Sequence, residues 1–162
     1  MNKLTLRSNI FVKSFHNIRV IIYEDHRCIL NVLKTAKDAQ VLKAATRLVY
    51  FDKHDDAKPP LPSAHRLAKI RSATTTQEEF WQFVEWELSP LDDDWLITGM
   101  ELDLISDALL IGGEILHNVP NPPLTHTDSG GRQHHLFVES HIWDGLAAHG
   151  WLVDLARKGE LQ

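Results

Sequence analysis

A single cysteine, Cys28, leaves the chain without an internal disulfide framework, which points to a reducing, cytoplasmic setting. No apolar run approaches the roughly 20 residues needed to cross a bilayer. The opening segment MNKLTLRSNIFVKSF alternates polar with apolar residues and lacks the apolar centre of a signal peptide. Basic residues are in the minority. Seventeen Lys and Arg stand against 22 Asp and Glu, a formal charge of −5, so a broadly basic nucleic-acid surface is not expected. Neither a membrane nor a nucleic acid is therefore expected as a partner. Internal repeats and low-complexity tracts are missing as well. What the chain does have is ten histidines beside that acidic excess, and imidazole and carboxylate are the usual ligands of borderline-hard divalent metals.

At 162 residues, 43% of them hydrophobic, the chain is long enough for one domain with its own core. The run IRVIIY (Ile18 to Tyr23) reads as a strand buried on both faces and leads into Glu24, Asp25 and His26. Apolar residues Cys28, Ile29, Val32, Leu33 and Ala36 then recur at helical spacing, predicting a helix from about Arg27 to Ala39. A second buried strand is expected at Arg47 to Phe51, ending in Asp52. Two strands joined by a helix form a βαβ unit, so these two strands are expected to pair in parallel. Lys58 to Pro62 (KPPLP) must be a loop. Thr76 and Glu79 have the spacing of a capping box, opening a helix with Phe80, Phe83, Val84 and Leu88 on one face. Asp92 to Asp94 precede another helical stretch with Leu96, Met100 and Leu104 inward, and read as negative charge placed at a helix N-terminus. Further strands are expected at Ala108 to Ile111 and Leu136 to Ser140, turns at 118–123 and 129–131, and a last helix from about Trp151 to Lys158. Strands alternating with helices predict a three-layer α/β/α fold with a mainly parallel sheet.

The segment after the second strand, FDKHDDA, carries Asp52, His54 and Asp56 two residues apart. In an extended chain such residues point to the same side and converge. The C-terminal rim of a parallel sheet is also where ligands bind in such folds. Two carboxylates and an imidazole suit Mn²⁺ or Fe²⁺, and Zn²⁺ less selectively. His26 ends the neighbouring strand and offers an imidazole to the same rim. The plain alternatives are a solvated acidic turn for the first group and a helix-capping histidine for the second.

The segments VIIYEDH and LVYFDKHDDA resemble the ureohydrolase superfamily of arginases and agmatinases. The likeness is closer to a branch with an E-D-H first motif and an F-D-x-H-x-D second motif, which includes peptide arginases that convert arginine side chains to ornithine. WLITGMELDLISDALLIGGE and HIWDGLAAHGWLVDLA are similar to that branch too, so the resemblance runs over most of the chain from Ile18. It implies an arginase-like fold, one or two manganese ions, and metal ligands His26, Asp52, His54 and Asp56. It implies metal-assisted hydrolysis of a guanidino group, in a small molecule or an arginine-containing peptide. Two cations about 3.5 Å apart would lower the pKa of a shared water and aim it at the guanidinium carbon.

A dimetal site of this kind also needs a later strand end with a second pair of carboxylates. Glu101 and Asp103 are the nearest candidates, but their neighbours have helical spacing and the two acids are expected to face solvent. The single arginase-like domain, 1–162, is therefore expected to be the N-terminal part of a longer design. The alternative to an enzyme is a non-catalytic half-domain, dependent on a complementing subunit or a second copy. His65 is a candidate proton shuttle but reads as an exposed loop residue. His126, His134, His135 and His141 cluster around a glycine-rich turn, where they could form a separate zinc or nickel site but read as solvated. The tryptophans read as packing residues, and Cys28 as core. A phosphate-accepting receiver domain shares the acid-ended strands but needs more chain between them than this sequence has, and leaves His54 and Asp56 without a task.

Overall fold

The computed structural model describes residues 10–15, 18–112 and 124–139, together with positions 147 and 150. Ten elements follow one another: β1 (Ile10–Phe15), β2 (Ile18–Tyr23), α1 (Cys28–Asp38), β3 (Thr46–Phe51), α2 (Ala64–Arg71), α3 (Gln77–Trp86), α4 (Trp95–Glu101), β4 (Ile105–Ile111), β5 (Leu124–Thr127) and β6 (Gln133–Glu139). The main sheet has the order β3-β4-β6-β5. β3 and β6 both run parallel to the central β4, and β5 adds an antiparallel edge. This is a mixed α/β architecture with a mainly parallel sheet. The expected final helix and the 118–123 turn lie outside the described residues. No helix among those described is long and apolar enough to cross a membrane.

β4 is central because its sequence is apolar on both faces. Ile105, Ala108 and Leu110 point into the main core, where Leu30, Phe83, Leu96 and Met100 of the helices meet Leu136 of β6. Leu109 and Ile111 point the opposite way, into a smaller cluster with Val49 and Phe137. Gly99 permits the tight seat of α4 on β4. A Cβ there would stand 2.6 Å from Ile105 Cδ1 and 3.0 Å from Leu30 Cδ2. The capping box forms as the spacing predicts: Thr76 Oγ1 accepts from Glu79 N, and Glu79 Oε2 accepts from Thr76 N.

The pairing of the first strands differs from expectation. β2 joins β1 in a separate two-stranded antiparallel ribbon, with Val20 opposite Lys13 and Ile22 opposite Phe11. Val20 and Ile22 are 42% and 50% exposed, so the strand is not buried on both faces. An antiparallel neighbour next in sequence needs only a short connection, whereas a parallel one needs a crossover. β3 in turn takes β4 as its parallel partner and forms the sheet edge, with Arg47 and Phe51 exposed. The βαβ crossover of this sheet therefore runs from β3 through α2, α3 and α4 to β4, not from β2 to β3.

Candidate metal site

β3 ends at Phe51, and the chain turns at once. Asp52 Oδ1 accepts from His54 N at 3.1 Å, and Asp55 Oδ1 accepts from Ala57 N at 3.2 Å. Both are side-chain turns of the kind aspartate favours. Asp56 adopts φ of +49°, in the left-handed region that aspartate tolerates better than most residues. This curl brings the carboxylates of Asp52 and Asp56 together at one side. On the other side a turn follows β2, where Cys28 N donates to Asp25 O at 3.0 Å, and it presents His26.

His26 Nδ1 lies 3.2 Å from Asp52 Oδ2 and 3.1 Å from Asp56 Oδ2. One donor atom from each of the three residues lies within 4.8 Å of the others, and this is the one group of three metal-type side chains so arranged among the described residues. For metal–ligand bonds of about 2.1 Å, ligands at right angles stand about 3.0 Å apart and ligands at the tetrahedral angle about 3.4 Å. The His26 separations fall between those values. The donor set, two carboxylates and an imidazole, matches what Mn²⁺, Fe²⁺ or Zn²⁺ accepts. The site is open on the His26 side, whose side chain is 49% exposed, and closed behind Asp56, at 7%.

His54, the fourth expected ligand, stands outside the group. Its side chain is 66% exposed, and its Nδ1 lies 3.9 Å from Asp52 Oδ1, whereas His26 pairs with Asp52 Oδ2. The extended-chain argument for three converging residues fails because the strand has already ended. Asp52 and Asp56 meet through a turn, and in a turn the middle residue swings outward. Nor does His26 arrive from a hydrogen-bonded neighbour strand, since β2 is not part of the main sheet.

Burial works against a charge on His26, but the hydrogen bond to Asp56 and the charges of Asp52, Asp56 and Asp92 outweigh it and raise its pKa. A cation bound at this nitrogen would have to displace any proton it carries. Burial, with Asp56, Asp55 and Asp52 adding to it, lifts the Tyr50 phenol far above its usual range. It therefore stays protonated and donates to Asp55 O at 2.6 Å, bracing the ligand turn.

Sequence reasoning missed the residues that hold these turns. Asp92 accepts from the backbone N–H groups of both His26 and Arg27. Trp95 Nε1 donates to Asp56 Oδ2 at 2.9 Å, and its ring meets Tyr50 edge-on at 5.5 Å. Asp93 pairs with Lys58, and Asp94 accepts from Leu61 N and Ser89 N. The acidic triplet, which does stand immediately before α4, also forms a set of tethers. Asp94 is the residue preceding α4, yet its side chain caps nothing in that helix. The local sequence looks the same in both cases, so only the tertiary partners separate the two roles.

The remaining candidates are committed elsewhere. Glu101, expected to face solvent, is largely buried and bonds His126 Nε2 at 2.9 Å and Ser129 N at 3.0 Å. Asp103 pairs with Lys37 and Arg132. His134, expected to be solvated, is 3% exposed, with Ser106 O and Asp128 as partners at 2.7 and 3.3 Å. His135 pairs with Asp107 at 3.1 Å, and His141 lies outside the described residues. His65 is exposed, on α2 and not in a loop. Trp95 is buried as expected of a packing residue, whereas Trp86 is 75% exposed. Cys28 is buried in the core. An apolar cavity of about 270 Å³ adjoins the ligand turn at Ala57 and extends over Ile97, Met100, Leu124 and Leu136 to His126. No protein-family model matches the chain, and no curated protein is significantly similar to it.

Proposed function

We propose that the chain is an arginase-like metallohydrolase, manganese-dependent, acting on a guanidino group such as an arginine side chain in a peptide. The reading rests above all on the convergence of His26, Asp52 and Asp56 from two separate turns, at ligand-like separations. The motif resemblance supplies the substrate class and the three-layer arginase-like form of the fold, and the single buried cysteine fits a cytoplasmic setting. Bound there, a divalent cation supplies Lewis acidity that makes water a competent nucleophile near neutral pH. The protein's own residues provide the rest. Asp52 and Asp56 hold negative charge that attracts both a metal and a cationic guanidinium. His26 offers a neutral nitrogen once deprotonated, and its exposed side leaves room for substrate to approach. The cavity beside Ala57 is suited to an aliphatic stem.

A second reading is a half-domain that needs a complementing subunit or a second copy of itself. Glu101 and Asp103 favour it, because both are spent on hydrogen bonds and ion pairs and so supply no second pair of carboxylates. Calorimetric titration with Mn²⁺ of wild type and Asp52→Ala, followed by urea-release assays on arginine, agmatine and arginine-containing peptides, tests both. Binding lost in the variant with urea released by wild type supports the enzyme. Binding without turnover supports the half-domain. No binding at millimolar Mn²⁺ refutes the metal site.

A further inference from the structure

We propose that Asp92 and Trp95 are positioning residues that jointly preassemble the metal site, so that metal affinity depends on them although neither is a ligand. The proposal rests on the metal-site reading above. Among the described residues His26 comes from a ribbon with no hydrogen-bonded strand in the main sheet, while Asp52 and Asp56 follow the edge strand of that sheet. Strand pairing therefore does not set the distance between the two ligand turns. The Ser89–Trp95 segment does. At one end Asp92 fastens the backbone of His26 and Arg27, and Arg27 reaches back to Ser89 O at 3.3 Å. At the other end Trp95 fixes the rotation of the Asp56 carboxylate by donating to Oδ2.

Between them Asp93 and Asp94 tie down the chain that follows Asp56, through Lys58 and Leu61. Asp94 and Trp95 are only 1% and 3% exposed, so this clasp is seated in the core. Asp92, like Asp56, holds a positive φ, +60°. Such conformations persist where the surroundings over-determine them. Groups that orient metal ligands in this way typically contribute about 10–100-fold to metal affinity.

The test is Mn²⁺ calorimetry on the full chain for wild type, Trp95→Phe and Asp92→Ala, at a temperature where circular dichroism shows all three folded. Trp95→Phe keeps the ring against Tyr50 and removes only the N–H donor. Each variant is expected to bind Mn²⁺ about 10–100-fold more weakly, with Asp92→Asn, which keeps one acceptor oxygen, in between. Trp86→Phe, on the exposed tryptophan, is expected to leave the affinity unchanged. Should Asp92→Ala not fold, Asp92→Asn takes its place. Wild-type affinity in Trp95→Phe and in the Asp92 variant overturns the clasp while leaving the metal site standing. Absence of Mn²⁺ binding by wild type itself overturns both.

Discussion

Replacing Asp56 by asparagine and by alanine separates its structural duty from its duty to a metal. In the alanine variant the buried Trp95 indole N–H, 2.9 Å from Asp56 Oδ2, loses its acceptor, which costs about 1–3 kcal/mol. The φ of +49° at this position adds about 1 kcal/mol for a residue without a short polar side chain. The two contributions share one site and need not add strictly, so the expected loss is about 2–4 kcal/mol. Asparagine keeps an acceptor oxygen and tolerates the same backbone, losing only the charge opposite the half-exposed His26, so its expected loss is below about 1 kcal/mol. Manganese widens the gap between wild type and both variants. At a free concentration of 100 times its Kd, it should stabilise wild type by about 2.7 kcal/mol and both variants by far less. For a chain of this size each kcal/mol moves Tm by about 2–4 °C. Thermal denaturation in EDTA and in Mn²⁺ therefore reads the losses and the metal stabilisation together. An asparagine variant as unstable as the alanine one in EDTA would refute the hydrogen-bond and backbone account. Equal Mn²⁺ stabilisation of wild type and Asp56→Asn would remove Asp56 from the ligand set.

Other parts of the fold make separate predictions. Gly99→Ala should destabilise by up to about 2 kcal/mol in urea titration, because overpacking against Ile105 and Leu30 offsets or exceeds the gain of about 1 kcal/mol in helix propensity. Adding Ile105→Val, which deletes the clashing Cδ1, should cost less than the two single changes summed. Thr76→Ala should cost about 1 kcal/mol by removing the capping box of α3, measured the same way. Burial opposes the Asp128 carboxylate, but hydrogen bonds from Arg132, His134 and Gly130 prevail and hold its pKa far below the usual range. A depressed carboxyl stabilises the fold above its unfolded pKa and loses that contribution as pH falls through the folded one. Wild type should therefore lose stability on acidification below about pH 4 faster than Asp128→Asn, which should start about 1–3 kcal/mol lower at neutral pH; acid titration of both followed by fluorescence checks this.

Local patterns in the sequence were legible where a single element determined them. The periodicity of Cys28 to Ala36, the Thr76–Glu79 spacing and the doubly apolar ALLI run each specify one element by its own chemistry, and each forms. The candidate cluster was legible in part for the same reason: aspartates and histidines stand beside strand ends. Pairing was not legible. Nothing within IRVIIY distinguishes a buried parallel strand from half of an exposed ribbon, because the answer depends on whether the segment at Ile10–Phe15 competes for its edge. The place of His54 outside the group has the same root, since a two-residue spacing carries meaning only while the chain remains extended. α2 and β5 escaped notice because their patterns are short and weakly apolar. The roles of Asp92 and Trp95 depend on contacts across 66 and 39 residues of chain, and no local window contains them.

Those long spans bear on how the molecule acquires its site in time. The helices and the strand cores are local enough to form early, but the His26 turn meets Asp56 across 30 residues and Asp92 across 66. Closing such loops is an entropic cost met only when the core has already condensed around α4. A collapsed species with nearly full helicity would thus hold His26 apart from Asp52 and Asp56. In a refolding experiment, cation uptake at this site would lag behind the recovery of far-ultraviolet signal and mark the final consolidation of tertiary structure.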